Sequence, residues 1–224
     1  MYPWVTHMHT HLGGECPHKC IYCYVNNGFM NTPRPKRYCG PLRLIDAEFR
    51  VDYGEGKTIF IEHKNDLFAL EVPQDFINRV IMHCMAFPNN TYVFQTKNPQ
   101  RYLSMDALMP VESIFGATIE TNRNIPDISR APRPEDRMRA MVKLDPSFRK
   151  FITIEPVLDF DVDILAEWIA RIRPEFLNLG ADSKGNNLPE PTIDKIMALV
   201  EKLKEYGIEL REKHNLKRLM KKAI

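Results

Sequence analysis

No apolar run in this 224-residue chain approaches the ~20 residues of a membrane-spanning helix. Its opening residues, Met1-Tyr2-Pro3-Trp4, carry no basic stretch leading into an apolar core, so no secretory signal is read and a cytoplasmic protein is expected. Net charge is small, at +2 with a pI of about 8.2, which excludes the global field of a general nucleic-acid binder. Repeats at a solenoid period and low-complexity segments are also missing. Cysteine is scarce and uneven. There are 5, an odd number, and three of them fall within eight residues. A disulfide framework would spread an even set along a secreted chain, so the clustering points to metal binding in a reducing compartment.

What is present is alternation. Hydrophobic residues make up 44%, enough to bury a sizeable core. Short runs rich in Ile, Val, Phe, Tyr and Leu lie at 58–62, 91–95, 113–119, 151–155 and 175–179, and read as strands buried on both faces. Between them, 73–85, 134–144, 162–172 and 192–206 carry helical periodicity, with Gly207 as a C-cap for the last. A first strand near 4–9 brings the total to about six βα units, and parallel neighbours require such crossovers. The predicted fold is therefore α/β, a partial (β/α)6 TIM-like barrel with a parallel sheet, spanning 1–210 and followed by a basic C-terminal tail at 211–224. In that tail Arg211, Lys213, Lys217, Arg218, Lys221 and Lys222 stand against Glu212, a pattern that suits phosphate contact or a solvated helix end.

Ligands of a parallel sheet belong at the carboxyl ends of its strands. The polar clusters of this sequence all fall there. Cysteines follow the first strand, Glu62-His63-Lys64-Asn65-Asp66 the second, Thr96-Lys97-Asn98 the third, Glu120-Thr121-Asn122-Arg123 the fourth and Glu155-Pro156 the fifth. The central signal is the C-x3-C-x2-C spacing of Cys16, Cys20 and Cys23. Thiolates at such short spacing can wrap three corners of an iron–sulfur cubane and leave one iron open to a small chelator. Zinc is the competing metal; it favours paired spacings, but His7, His9, His11 or His18 can supply a further ligand, so counting alone does not dismiss it.

With Tyr22 just before the last cysteine, Tyr24 just after it and Gly13-Gly14 ahead of the loop, the motif resembles the radical S-adenosylmethionine (radical SAM) superfamily. The resemblance implies an oxygen-sensitive [4Fe-4S] cluster on Cys16, Cys20 and Cys23, with the amino and carboxylate groups of S-adenosyl-L-methionine on the open iron. It also implies reductive cleavage to methionine and a 5′-deoxyadenosyl radical that abstracts hydrogen from a substrate, and an electron donor such as flavodoxin or ferredoxin. Asn65-Asp66-Leu67-Phe68, Thr96-Lys97-Asn98-Pro99, Glu120 and Ile154-Glu155-Pro156-Val157 look like the phage-associated DUF5131 (Gp37/Gp68-type) proteins, and Arg130-Ala131-Pro132-Arg133-Pro134-Glu135-Asp136-Arg137 looks like a stretch of spore photoproduct lyase-like proteins. Together they suggest nucleic acid as the substrate class, with a peptide or small metabolite as the rival. The Gly-Gly-Glu run usual after the second strand is replaced here by Glu62 to Asp66.

The residues can be read beside that likeness. Asn65 or Asp66 can accept from the ligand ammonium or sit in a solvated turn, and Lys97 can pair with the ligand carboxylate or lie at the surface. Glu120 can take ribose hydroxyls, and Glu155 stands in the same kind of position; a carboxylate closing an apolar strand is costly without a partner. Arg123, Arg130 and Arg137 suit a substrate anion or salt bridges to Glu135 and Asp136. His7, His9 and His11 share one face if extended. Cys84 lies on an apolar helix face and reads as core. Cys39, after the cluster loop, is a candidate hydrogen-atom donor, ligand or redox partner. A reading from a different class is a zinc-stabilised nucleic-acid-binding module, carried by the cysteines and the basic tail alone.

Overall fold

The computed structural model describes residues 2–25, 34–105 and 108–220; Lys221 and Lys222 of the basic tail lie outside them. In chain order the strands are β1 His7–His9, β2 Leu12–Gly13, β3 Arg43–Leu44, β4 Thr58–Ile61, β5 Thr91–Thr96, β6 Ser113–Thr118, β7 Arg149–Ile154, β8 Phe176–Leu179 and β9 Glu209–Glu212. The helices are α1 Gln74–Met85, α2 Pro134–Lys143, α3 Val162–Ile172, α4 Ile193–Glu205 and the single turn α5 Lys217–Met220. β2 and β3 form a small antiparallel pair, and the other strands make a 7-stranded sheet in the order β1-β4-β5-β6-β7-β8-β9. Every pairing in the large sheet is parallel. Strand order thus follows chain order. Right-handed crossovers then return on one side, so the helices cover one face and the sheet curves around the other.

Alternation along each strand sorts the two faces. In β7, Ile152 and Ile154 join Leu165, Ile169 and Ile172 of α3 in the main core. Phe151 points the other way and packs with Tyr2, Val5, Phe60, Val93, Ile114 and Phe176 in a second cluster that fills the floor of the concave side. Gly116 makes room for it, since a Cβ there would lie 2.1 Å from the Phe151 ring. Above this floor the inward residues turn polar. Tyr2 Oη hydrogen-bonds Gln95 Oε1 and Thr153 Oγ1, each at 2.7 Å, and Gln95 Nε2 donates to Thr118 Oγ1 at 2.8 Å. The next inward residues up the strands are Lys97, Glu120 and Glu155.

One boundary needs correction. Arg211 and Glu212, assigned to a basic tail by their charge, are the end of a seventh parallel strand. Leu210 of that strand packs on the main core, and the Arg211 guanidinium lies 3.5 Å from the Phe176 ring centroid on the inner face. Beyond it Leu216 and Leu219 are buried. The strand is short and at the sheet edge, where charged side chains are tolerated, so its pattern resembles a tail.

Candidate functional site

The loop from Gly14 to Cys23 is built on the end of β2. Backbone pairing continues past the β2–β3 ladder, with Gly14 N–H donating to Arg37 O and Glu15 N–H to Gly40 O, both at 2.9 Å. Gly14 has φ +87°, and a Cβ on it would sit 2.2 Å from Pro41 O. Only glycine fits there. Tight turns then bring Lys19 N to Cys16 O at 3.4 Å and Cys23 N to Cys20 O at 3.1 Å. Cys20 is buried against the Ser129 hydroxyl at 3.1 Å, whereas Cys16 and Cys23 are half-buried. Burial pushes the Cys16 thiol well up, and the charges of Asp66, Cys20 and Cys23 push it further, so the three thiols share one electrostatic neighbourhood. Such a soft, mutually repelling thiol set fits a multi-iron cluster, whose positive charge would stabilise the thiolates. Among the described residues, no three His, Cys, Asp or Glu side chains converge on a point where a single metal ion would sit.

Asp66 ties this loop to the sheet. Its Oδ2 accepts from His18 Nε2 and from the Lys97 backbone N–H, each at 2.8 Å, and its Oδ1 accepts from Thr96 Oγ1 at 2.7 Å. Burial raises the Asp66 carboxyl, but His18, the Lys97 N–H and the Thr96 hydroxyl outweigh it and hold it below its ordinary range. Asn65 reaches Gly14 O at 3.3 Å. Glu62 adopts φ +65°, with its carboxylate accepting the His11 N–H at 2.5 Å and the Leu12 N–H at 3.2 Å. The entry to the cysteine loop is therefore pinned to the end of β4.

Glu120 makes the third attachment. It has no exposed surface; Oε1 accepts from Lys97 Nζ at 2.6 Å and from the Tyr22 hydroxyl, and Oε2 pairs with Arg137 Nη1 at 2.7 Å. Burial would raise this carboxyl, yet Arg137 and then Lys97 hold it down at about 2. Lys97 Nζ also lies 5.3 Å from the Tyr22 ring centroid. The structure thus brings Cys16, Cys20, Cys23, Tyr22, Asn65, Asp66, Lys97 and Glu120 into one connected group at the ends of β4, β5 and β6.

Glu155 stands apart, at the end of β7. It is paired with Lys213 and accepts from Asn215 Nδ2 at 2.7 Å. Cys39 is exposed, its thiol directed to Pro35 O at 3.6 Å. Its segment borders the loop through the Arg37 and Gly40 carbonyls. The histidines stay neighbours but differ in burial: the His9 ring lies 6.5 Å from that of His11, His7 is exposed, and His11 is buried between Glu62 at 3.2 Å and Tyr53 Oη at 2.8 Å. Cys84 is core. Two arginines differ from expectation, since Arg123 pairs with Asp159 and Asp161, Arg137 pairs with Glu120, and Glu135 is taken by Arg139. What the motifs missed is the pairing of Arg137 with Glu120 and of His18, read as a possible zinc ligand, with Asp66. Arg137 had a signal, because it lies on the helix stripe with Ala140 and Met141, where a charge needs a buried partner. His18 had none beyond its place inside the loop.

The chain is similar in fold to a cysteine-to-serine mutant of spore photoproduct lyase, with a TM-score of 0.65 and 13% identity over 91% of this chain and 76% of that one. The same enzyme with bound AdoMet and the dinucleoside spore photoproduct gives a TM-score of 0.54 and 14% identity over 88% of this chain and 60% of that one. SuiB of Streptococcus suis, bound to its precursor peptide SuiA, gives 0.64 and 11% over 94% of this chain, which spans about half (49%) of SuiB. No family model and no curated protein sequence matches the chain. These solved structures show a shared fold, whereas the likeness to the phage-associated proteins rests on its short motifs alone.

Proposed function

We propose that this protein is a radical SAM enzyme, carrying a [4Fe-4S] cluster on Cys16, Cys20 and Cys23 and binding S-adenosyl-L-methionine above the ends of β4, β5 and β6. The observation that carries this reading is the three-point attachment of a C-x3-C-x2-C loop to those strand ends through Glu62, Asp66 and Glu120. Bound together, cluster and cosubstrate supply a one-electron cleavage that yields methionine and a 5′-deoxyadenosyl radical able to abstract hydrogen. The chain's own residues hold and orient. Asp66 and Asn65 fix the loop base, and Lys97, 15% exposed and already balanced by Glu120, has N–H capacity left for a ligand carboxylate. Glu120 keeps Lys97 and Tyr22 in place; being sealed from solvent, it acts as their anchor. An electron donor such as flavodoxin or ferredoxin is required by this chemistry. The neighbour that holds a dinucleoside favours a nucleic-acid substrate, and the one that holds a peptide keeps the rival reading in view.

Anaerobic reconstitution tests the proposal. The protein should turn brown and hold roughly four irons and four sulfides per chain, as a cubane requires. Replacing any one of Cys16, Cys20 or Cys23 by Ala should remove most of the iron. A colourless protein with one zinc per chain would instead support the zinc-stabilised module, although a single zinc needs its ligands drawn to about 2.0–2.3 Å of one point.

A further inference from the structure

The cysteine loop has a further neighbour besides the strand ends that pin it. Residues 125–131, on the way from β6 to α2, run beside it. Ile21 N–H donates to Ile128 O at 3.0 Å, and Arg130 N–H donates to His18 O at 2.8 Å. These two backbone bonds fall on either side of Cys20 in the loop and of Ser129 in the neighbouring segment, so they bring those two side chains together. The Ser129 hydroxyl lies 3.1 Å from Cys20 Sγ, and both residues are buried.

A serine hydroxyl has one proton to give and two lone pairs. Ala131 N–H donates to Ser129 Oγ at 3.2 Å, which uses a lone pair and accounts for the turn into α2. The proton is left over. Its two acceptors are Cys20 Sγ and His18 O, and the carbonyl lies 3.5 Å away, beyond the roughly 2.5–3.0 Å of an O–H···O bond. While Cys20 is a thiol, either group can donate to the other. A thiolate has no proton, so once Cys20 ligates iron the hydroxyl is the donor. Away from water such a bond to a charged acceptor is strong.

We propose that Ser129 donates a hydrogen bond to the Cys20 thiolate of the [4Fe-4S] cluster and so raises the reduction potential of that cluster. The inference rests on the radical SAM reading. One electron passes from the reduced donor, a flavodoxin or ferredoxin, to the oxidised cluster, and the hydroxyl proton stays on Ser129. The added electron makes the cluster and its thiolates more negative. A donor aimed at sulfur therefore stabilises the reduced form more than the oxidised one, and hydrogen bonds to the sulfurs are among the factors that set such potentials. Ser129 lies outside the C-x3-C-x2-C motif and ligates nothing; it acts through Cys20.

The test is an anaerobic redox titration of the reconstituted protein with dithionite, in the absence of S-adenosylmethionine, followed by electron paramagnetic resonance of the reduced cluster. Ser129→Ala removes the donor but leaves the Ile21 and Arg130 backbone bonds, so it should hold as much iron as wild type. At a fixed potential its ratio of reduced to oxidised cluster should fall about tenfold, which is about 59 mV for one electron. Ser129→Thr keeps a hydroxyl and should restore the wild-type ratio. A fully loaded Ser129→Ala with the wild-type ratio overturns the proposal, as does a Ser129→Thr that titrates like Ser129→Ala. Loss of iron from Ser129→Ala overturns it too, since the residue would then shape the loop and not the potential. Wild type that loads a cluster and cleaves S-adenosylmethionine while Ser129→Ala titrates identically overturns this inference alone; wild type that loads no cluster overturns the radical SAM reading with it.

Discussion

Glu120 is fully buried, and its two carboxylate oxygens serve the Lys97 ammonium, the Tyr22 hydroxyl and the Arg137 guanidinium. A carboxylate in that position is tolerated only because every lone pair facing the interior has a donor. Its carboxyl is held at about 2, below its ordinary 4.5, so the stability it contributes is complete above pH 4.5 and is lost as pH falls toward 2. The size follows from the shift, on the order of 3 kcal/mol. Glu120→Gln leaves the Arg137 charge buried and unpaired, and should destabilise the protein by about 3–5 kcal/mol at neutral pH. Urea denaturation of both proteins across pH checks this: their difference should be constant from neutral pH down to about 5 and shrink below it. A difference independent of pH down to 3 would contradict the assignment. The sequence displays the acid at a strand end and hides its partner, because the Arg137 pairing comes from tertiary packing of α2 on the end of β6.

At the scale of elements, the cysteine loop depends on the segment 36–44 that backs it. Gly14 is the contact point, with left-handed φ and Pro41 O where a Cβ would go. Gly14→Ala must part the two segments while touching nothing in the large sheet. The expected outcome is a protein with a wild-type circular dichroism spectrum that retains less than about half the iron of wild type, since cluster loading depends on how its thiolates are held. Full iron content in this variant would show that the backing segment does not shape the loop. The sequence reads the loop through its spacing but not this support, since two-residue strands such as β2 and β3 carry no period to detect. By contrast α3 is legible to the residue, because Leu165, Trp168, Ile169 and Ile172 repeat on one face and Arg173 ends it in a left-handed C-cap. β9 is illegible for the opposite reason: Glu209, Arg211 and Glu212 surround a lone Leu210, and pairing with β8 rather than apolar period makes it a strand.

Across the whole molecule, parallel strands in chain order place every strand's carboxyl end on one rim, and that polarity was readable from the polar residues closing each apolar run. What the sequence withholds is how the rim charges pair. Lys97 meets Glu120 and Glu155 meets Lys213 across intervals of 23 and 58 residues. These pairs neutralise the rim, so a zwitterionic nucleoside meets local hydrogen-bonding groups instead of a strong net field. They also divide it into a half built around the cysteine loop and a half around Asn215. The central claim is that the first half cleaves S-adenosylmethionine, and its most direct measurement is the nucleoside product. Reconstituted protein reduced with dithionite under anaerobic conditions and given S-adenosylmethionine should form 5′-deoxyadenosine and methionine in equal amounts by liquid chromatography and mass spectrometry, with neither formed by Cys20→Ala. Unchanged S-adenosylmethionine in the presence of a fully loaded, reduced cluster would contradict the account.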